Sequence, residues 1–167
     1  DFSLLEQMLG LNVKLFNEAN AAVWAEWLAE GAESGATIIY LSISEGVGGG
    51  IIINGRLFLG SGAMAGELGH MVTVPGGRAC RCGQAALLSG EGGTASGLDE
   101  FFEKLGTTDG EFRLRWERYV MNLSAGIRNL ILIFDPDTIV VGGAIANFGG
   151  LLLPPLLDAV HAGGSSI

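Results

Sequence analysis

The stretch Thr37-Ile38-Ile39-Tyr40-Leu41-Ser42-Ile43-Ser44-Glu45-Gly46-Val47-Gly48-Gly49-Gly50-Ile51-Ile52-Ile53-Asn54-Gly55-Arg56-Leu57-Phe58 decides how this chain folds. Its first seven residues are mostly β-branched or apolar and predict a strand over 37–43. Residues 50–58 form a second such run. Inside it, Asn54-Gly55 is the strongest short hairpin signal in the chain, because both residue types tolerate the positive φ of a tight turn. Between the runs, Ser44-Glu45-Gly46-Val47-Gly48-Gly49 reads as a glycine-rich loop, a form that lets backbone approach a phosphate closely. Glu45 opposes that use, since its carboxylate would repel the phosphates. A plain glycine-rich hairpin connection is the competing reading.

Working outward, residues 4–9 predict a short helix closed by Gly10, and Val13-Lys14-Leu15-Phe16 alternates like a brief strand. Residues 18–30 carry alanines with Val23, Trp24, Trp27 and Leu28 at helical spacing, and Gly31 supplies the stop. Asn17 and Glu18 stand where strand meets helix, a place for functional groups, although Asn17 can equally serve as a helix cap. Downstream, residues 60–70 are small and glycine-rich, Met71-Val72-Thr73-Val74 resumes strand character, and Pro75-Gly76-Gly77 ends it in a turn. Residues 79–97 read as a loop with a helical piece over 85–88. A long helix is predicted over 110–134, with Phe112, Trp116, Val120, Leu123, Ile127 and Ile131 in one apolar stripe, and Asp135-Pro136 breaks it. Thr138-Ile139-Val140-Val141 is an apolar strand ending in Gly142-Gly143, a weaker phosphate-approach signal, and residues 151–161 are helical. This alternation predicts one α/β domain over residues 1–167 with a mixed sheet.

Hydrophobic residues make up 49% of the chain and charged residues 16%, which implies apolar surface covered by a further lobe or subunit. Nine basic against eighteen acidic residues give a net charge of −9 with no basic cluster, so this segment is not expected to grip nucleic acid. The apolar runs 130–134 and 151–153 fall well short of the roughly 18 residues of a membrane span. The opening Asp1-Phe2-Ser3 lacks the basic and apolar regions of a secretory signal. A cytoplasmic protein is expected.

His70 precedes Cys80 and Cys82 by ten and twelve positions. A Cys-Arg-Cys spacing is too tight to staple a fold usefully, whereas imidazole and thiolate are preferred zinc ligands. The surrounding Gly76, Gly77 and Gly83 favour a metal loop over a packed element. A closed structural site wants four ligands and three are visible; a buried cysteine pair with a core histidine is the alternative. Glu67, in its glycine-rich turn, either accepts hydrogen bonds from ligand hydroxyls or is solvated.

Asn17-Glu18-Ala19-Asn20-Ala21-Ala22, Glu45-Gly46-Val47-Gly48-Gly49-Gly50, Ala65-Gly66-Glu67-Leu68-Gly69-His70, Cys80-Arg81-Cys82-Gly83 and the run from Asp135-Pro136 to Gly143 together resemble the ROK family. That family contains bacterial sugar kinases and sugar-responsive transcriptional repressors. The resemblance runs over about residues 4–157. It implies the actin-like, ribonuclease-H-like fold, specifically its larger C-terminal lobe, with the N-terminal lobe and any DNA-binding domain outside this chain. It assigns Asn17, Glu67 and His70 to sugar hydroxyls, and His70, Cys80 and Cys82 to zinc. It places Glu45, Gly46, Gly48, Gly49, Gly142 and Gly143 at the phosphate loops, and Glu18 where the kinases carry an aspartate as general base.

Several positions depart from the family pattern. The extra methylene of Glu18 moves its carboxylate by about an ångström, enough to cost a large factor in rate. Ser44-Glu45-Gly46 stands where the kinases usually have Gly-Thr-Gly and looks like the repressor branch. The family's third cysteine falls on Leu87 and its next acidic sugar ligand on Ser89, so the zinc set is incomplete in this sequence. These departures favour a sugar-sensing effector domain of a repressor, with Glu18 inactive as a base. The alternative is a hexose or N-acetylhexosamine kinase using ATP and magnesium. In either case the family habit implies a sugar ligand and a homodimer.

Overall fold

The 37–58 stretch builds three strands in the computed structural model, which describes residues 2–44, 46–73 and 110–163. They are β1 Ile38–Ile43, β2 Val47–Ile53 and β3 Arg56–Leu57. Asn54 and Gly55 turn the chain between β2 and β3 with φ of 51° and 70°, the conformation this pair was expected to adopt. β1 and β2 pair antiparallel with Ile43 opposite Val47, so the expected loop over 44–49 is corrected to a tight turn followed directly by strand. The final strand, β4 Thr138–Gly142, pairs parallel with β1 on the other side. The order β3-β2-β1-β4 is the mixed sheet that the alternation of elements predicts.

Helices cover both faces. α1 Ser3–Leu9 ends on left-handed Gly10, and α2 Glu18–Ala29 packs on one face of the sheet. α3 Gly110–Phe134 and α4 Gly149–Ala162 cover the other. Because side chains alternate along a strand, β1 feeds both layers. Ile38 and Tyr40 meet Val23 and Trp27 of α2, while Ile39, Leu41 and Ile43 join Trp116, Leu123, Ile127 and Leu130 of α3. α3 stops where Asp135 takes a φ of 44° and donates its N–H to the Ile131 carbonyl at 2.9 Å, just before Pro136. Asp137 then docks β4 beside β1, its Oδ2 accepting from the Thr37 N–H at 2.8 Å.

β2 is a strand of glycines because two segments press against it. A Cβ on Gly50 would collide with the Ala19 carbonyl of α2 and lie 2.7 Å from Val23 Cγ1. On the opposite face, a Cβ on Gly49 would lie 2.5 Å from Leu68 Cδ1, and one on Gly69 would collide with the Val47 carbonyl. The even positions thus admit α2, and the odd ones admit residues 66–70.

Two expectations are corrected. Residues 13–16 form no strand: Leu15 and Phe16 are exposed, and the Val13 N–H is taken at 3.0 Å by Glu6 Oε1, so no ladder supports the alternation. Residues 68–70 form a 3₁₀ turn, Leu68–His70, and over the described part of 71–74 only Val72 makes an isolated bridge. The stretch Ala144–Ala162, 19 residues, is by length and composition alone apolar enough to cross a membrane. It begins as a 3₁₀ turn, Ala144–Phe148, and in α4 it buries Leu152 and Leu156 against α3. The expected turn at 75–77 and loop over 79–97 lie outside the described residues.

Gly50→Ala in the full-length protein is expected to lower unfolding free energy by about 1–3 kcal/mol through overpacking. Gly35→Ala, whose added Cβ meets nothing within 4 Å, should stay within about 0.5 kcal/mol of wild type. Urea denaturation of the two variants measures the difference.

Candidate functional site

α2 starts at Glu18 because Asn17 caps it. Asn17 is extended, with φ −64° and ψ 135°, and its Oδ1 accepts the Asn20 N–H at 3.1 Å. The Glu18 carboxylate therefore stands in the first turn of a 12-residue helix, where the dipole favours negative charge. Ala19 rests over β2, 3.6 Å from where a Gly48 Cβ would be. A cleft of about 440 Å³ opens at this junction, lined by Asn17, Glu18, Ala19, Ser42, Ser44, Gly46, Val47 and Gly48.

The β1–β2 turn forms the opposite wall. The Ser44 N–H donates to the Gly46 carbonyl at 2.9 Å, closing the turn. The Ser44 hydroxyl accepts the Ala144 N–H at 2.9 Å and ties the turn to the exit of β4. There Gly143 has a φ of 85°, and an added Cβ would lie 2.8 Å from Ser44 Oγ. The two glycine signals read from the sequence, around residues 44–49 and 142–143, therefore meet at one end of the sheet. Gly46 and Gly48 line the cleft; Gly49 is buried on the other face of β2. Glu45 lies outside the described residues.

Glu67 and His70 stand together on that other face, with His70 Nε2 3.8 Å from Glu67 Oε2 and the side chains 45% and 48% exposed. Gly69 against Val47 and Gly66 against Gly49 fix this pair to β2. No hydrogen bond or ion pair joins it to Asn17 or Glu18 among the described residues. One strand of backbone separates the two pairs, and among the described residues β3 pairs with Ile52 and Ile53 and no strand pairs with the outer edge of β2 at residues 47–50. Of the expected zinc ligands His70 is described; Cys80 and Cys82, like Leu87 and Ser89, lie outside the described residues.

One cleft residue had not been singled out as functional, Ser42. Its signal is a serine two positions before Ser44 in an otherwise apolar strand end, on the face that receives α2. Chemically, the cleft sets a proton-accepting carboxylate across from hydroxyls and a glycine turn, at the C-terminal end of parallel strands where α/β folds bind ligands.

The chain belongs to the ROK family, which it matches over residues 2–162. It is 33% identical over 161 residues to an N-acetylmannosamine kinase of Escherichia fergusonii, a match covering 89% of this chain and 55% of that protein. The chain thus spans about half the length of such relatives. Its fold is similar to that of a ROK hexokinase from Thermus thermophilus, with TM-score 0.82 and 31% identity over 96% of this chain and 58% of that one. A ROK transcriptional regulator, a homologue of the E. coli MLC protein, shares the fold with TM-score 0.73 at 22% identity, over 95% of this chain and 46% of that one.

Asn17→Ala is expected to destabilise the protein by about 0.5–2 kcal/mol through loss of the cap, while Asn17→Asp stays near wild type. Thermal unfolding of both variants distinguishes a capping residue from one that serves ligand alone.

Proposed function

We propose that the protein to which this chain belongs is an ATP-dependent sugar kinase acting on an N-acylated amino sugar such as N-acetylmannosamine. The observation that carries this reading is the shared cleft, in which Glu18 faces the turn at Ser44 and Gly46. The 33% identity to an N-acetylmannosamine kinase supports the substrate class.

In this reading Glu18 accepts the proton of the sugar hydroxyl as its oxygen attacks the terminal phosphorus of ATP. The bond to the bridging oxygen breaks and ADP departs. Magnesium would accompany the nucleotide and offset its charge. The longer Glu18 side chain is compatible with this role because it is exposed and opens into the cleft rather than being packed in a fixed slot. The sugar would straddle the uncovered edge of β2, reaching Asn17 on one face and Glu67 and His70 on the other. His70 also suits a structural zinc shared with Cys80 and Cys82: Nε2 faces Glu67, leaving Nδ1 for a metal. A cytoplasmic homodimer completes the proposal.

A second reading is the effector domain of a sugar-responsive repressor, favoured by Ser44-Glu45-Gly46 and by the fold shared with the regulator. There, bound sugar shifts a conformational equilibrium without chemistry.

Full-length protein supplied with ATP, magnesium and N-acetylmannosamine is expected to release ADP at roughly 1–100 per second. Glu18→Gln should lower kcat by about 10²–10⁴-fold with sugar KM little changed. Sugar binding by calorimetry with no ADP release would favour the repressor; neither binding nor turnover would contradict both readings. Zinc stripped by a chelator should lower the melting temperature, and readdition should restore it.

A further inference from the structure

α3 carries apolar residues on two opposite sides. Its inner stripe, with Trp116, Val120, Leu123, Ile127 and Leu130, is buried in the core beneath the sheet. On the outer side Leu114 and Met121 stand 63% and 59% exposed. Seven residues apart, they lie on one line of the helix, and the exposed Glu117 and Arg118 fall between them at the third and fourth positions. The outer face therefore reads apolar, acidic, basic, apolar. Glu117 is met by Arg113 of the same helix at 3.0 Å, an exposed pairing that contributes little in open solvent.

A patch of this order is its own complement. A two-fold axis through the midpoint of residues 117 and 118 sets Leu114 of one copy against Met121 of the other, and Glu117 against Arg118, each contact occurring twice. Beside the patch, α3 and α4 enclose a groove of about 500 Å³, with Trp116, Val120, Pro155 and Ala159 inside and the exposed Glu117 and Asp158 at its rim. An apolar side chain with a positive neighbour fits such a groove, and Leu114 beside Arg118 is one. Charge selects the occupant. At a net charge of −9 two copies repel over most of their surface, whereas residues 111–118 balance Glu111 and Glu117 with Arg113, Arg115 and Arg118. Charge also selects the register. A crossing centred on residue 123 would pair Leu114 with the exposed Leu132 but set Arg118 against Arg128, a like pair that disfavours it.

We infer that the outer face of α3 is a two-fold interface with a second copy of this chain, the two helices crossing antiparallel at Glu117 and Arg118. The inference rests on the homodimer of the proposed function, to which it gives a location, and is independent of the chemistry at Glu18.

Sedimentation velocity of the full-length protein tests it, on wild type, Glu117→Arg, Arg118→Glu, the double exchange of both, and Leu114→Lys. Wild type is expected to be a dimer. Each single reversal places like charges at both crossings and should raise the dimer dissociation constant about 10-fold or more. The double exchange rebuilds the same pairs with signs reversed and should recover most of that loss, which a role confined to one copy would not produce. Leu114→Lys alters an exposed position, so it should weaken the dimer while circular dichroism shows the helices intact. A wild-type dimer that all four variants leave unchanged would overturn this interface but not the homodimer. Single reversals that the double exchange fails to rescue would overturn the crossing at residues 117 and 118. A monomeric wild type, its α3 face left to another segment of the full-length protein or to a different protein, would overturn interface and homodimer together. ADP release by the same wild-type sample reports separately on the kinase reading.

Discussion

The approach of α2 to β2 is the contact on which the site depends. The Ala19 carbonyl occupies the space that a Gly50 side chain would fill, and Ala19 itself rests over Gly48. Larger residues at either strand position would lift the helix, and Glu18, one residue before Ala19, would lift with it. Interiors are packed too densely to absorb such a shift quietly. The same strand holds residues 66–70 on its other face through Gly49 and Val47, so one backbone ribbon sets the height of both the Asn17–Glu18 pair and the Glu67–His70 pair. A ligand that meets both pairs would reach around that ribbon, past an edge that no strand pairs with among the described residues.

The second constraint is the parallel pairing of β4 with β1. It brings Gly142 level with Ser42 and lets the Ala144 N–H reach the Ser44 hydroxyl across 100 residues of sequence. Among the described residues, the polar side chains at this end of the sheet are the Ser42 and Ser44 hydroxyls, the Asn17 amide and the Glu18 carboxylate.

Much of this was legible in the sequence, for identifiable reasons. The period of β1, the Asn54-Gly55 turn, the α3 stripe and the Asp135-Pro136 break are local signals, and each formed where its residues predicted. The glycines at 46–50 were legible as a close approach of backbone to something. That the partner is the protein's own α2 and residues 66–70, as well as any phosphate, depends on contacts between distant residues that no local pattern carries. Residues 13–16 mislead for the complementary reason: alternation marks a face, but a strand needs a neighbour to pair with. Ser42 is silent in isolation; its place on the cleft comes from the pairing that sets it between Gly48 and Gly142. The preference for a repressor arose from single substitutions at Glu18 and in Ser44-Glu45-Gly46, whereas relatedness over 161 residues favours kinases.

The most direct measurement is a crystal structure of the full-length protein with N-acetylmannosamine and a magnesium complex of a non-hydrolysable ATP analogue. The terminal phosphate is expected in the cleft at the β1–β2 turn, beside Ser44 and Gly46, with a sugar hydroxyl between it and the Glu18 carboxylate. A nucleotide bound elsewhere, or a sugar whose hydroxyls do not approach Glu18, would contradict the placement of the site in this cleft.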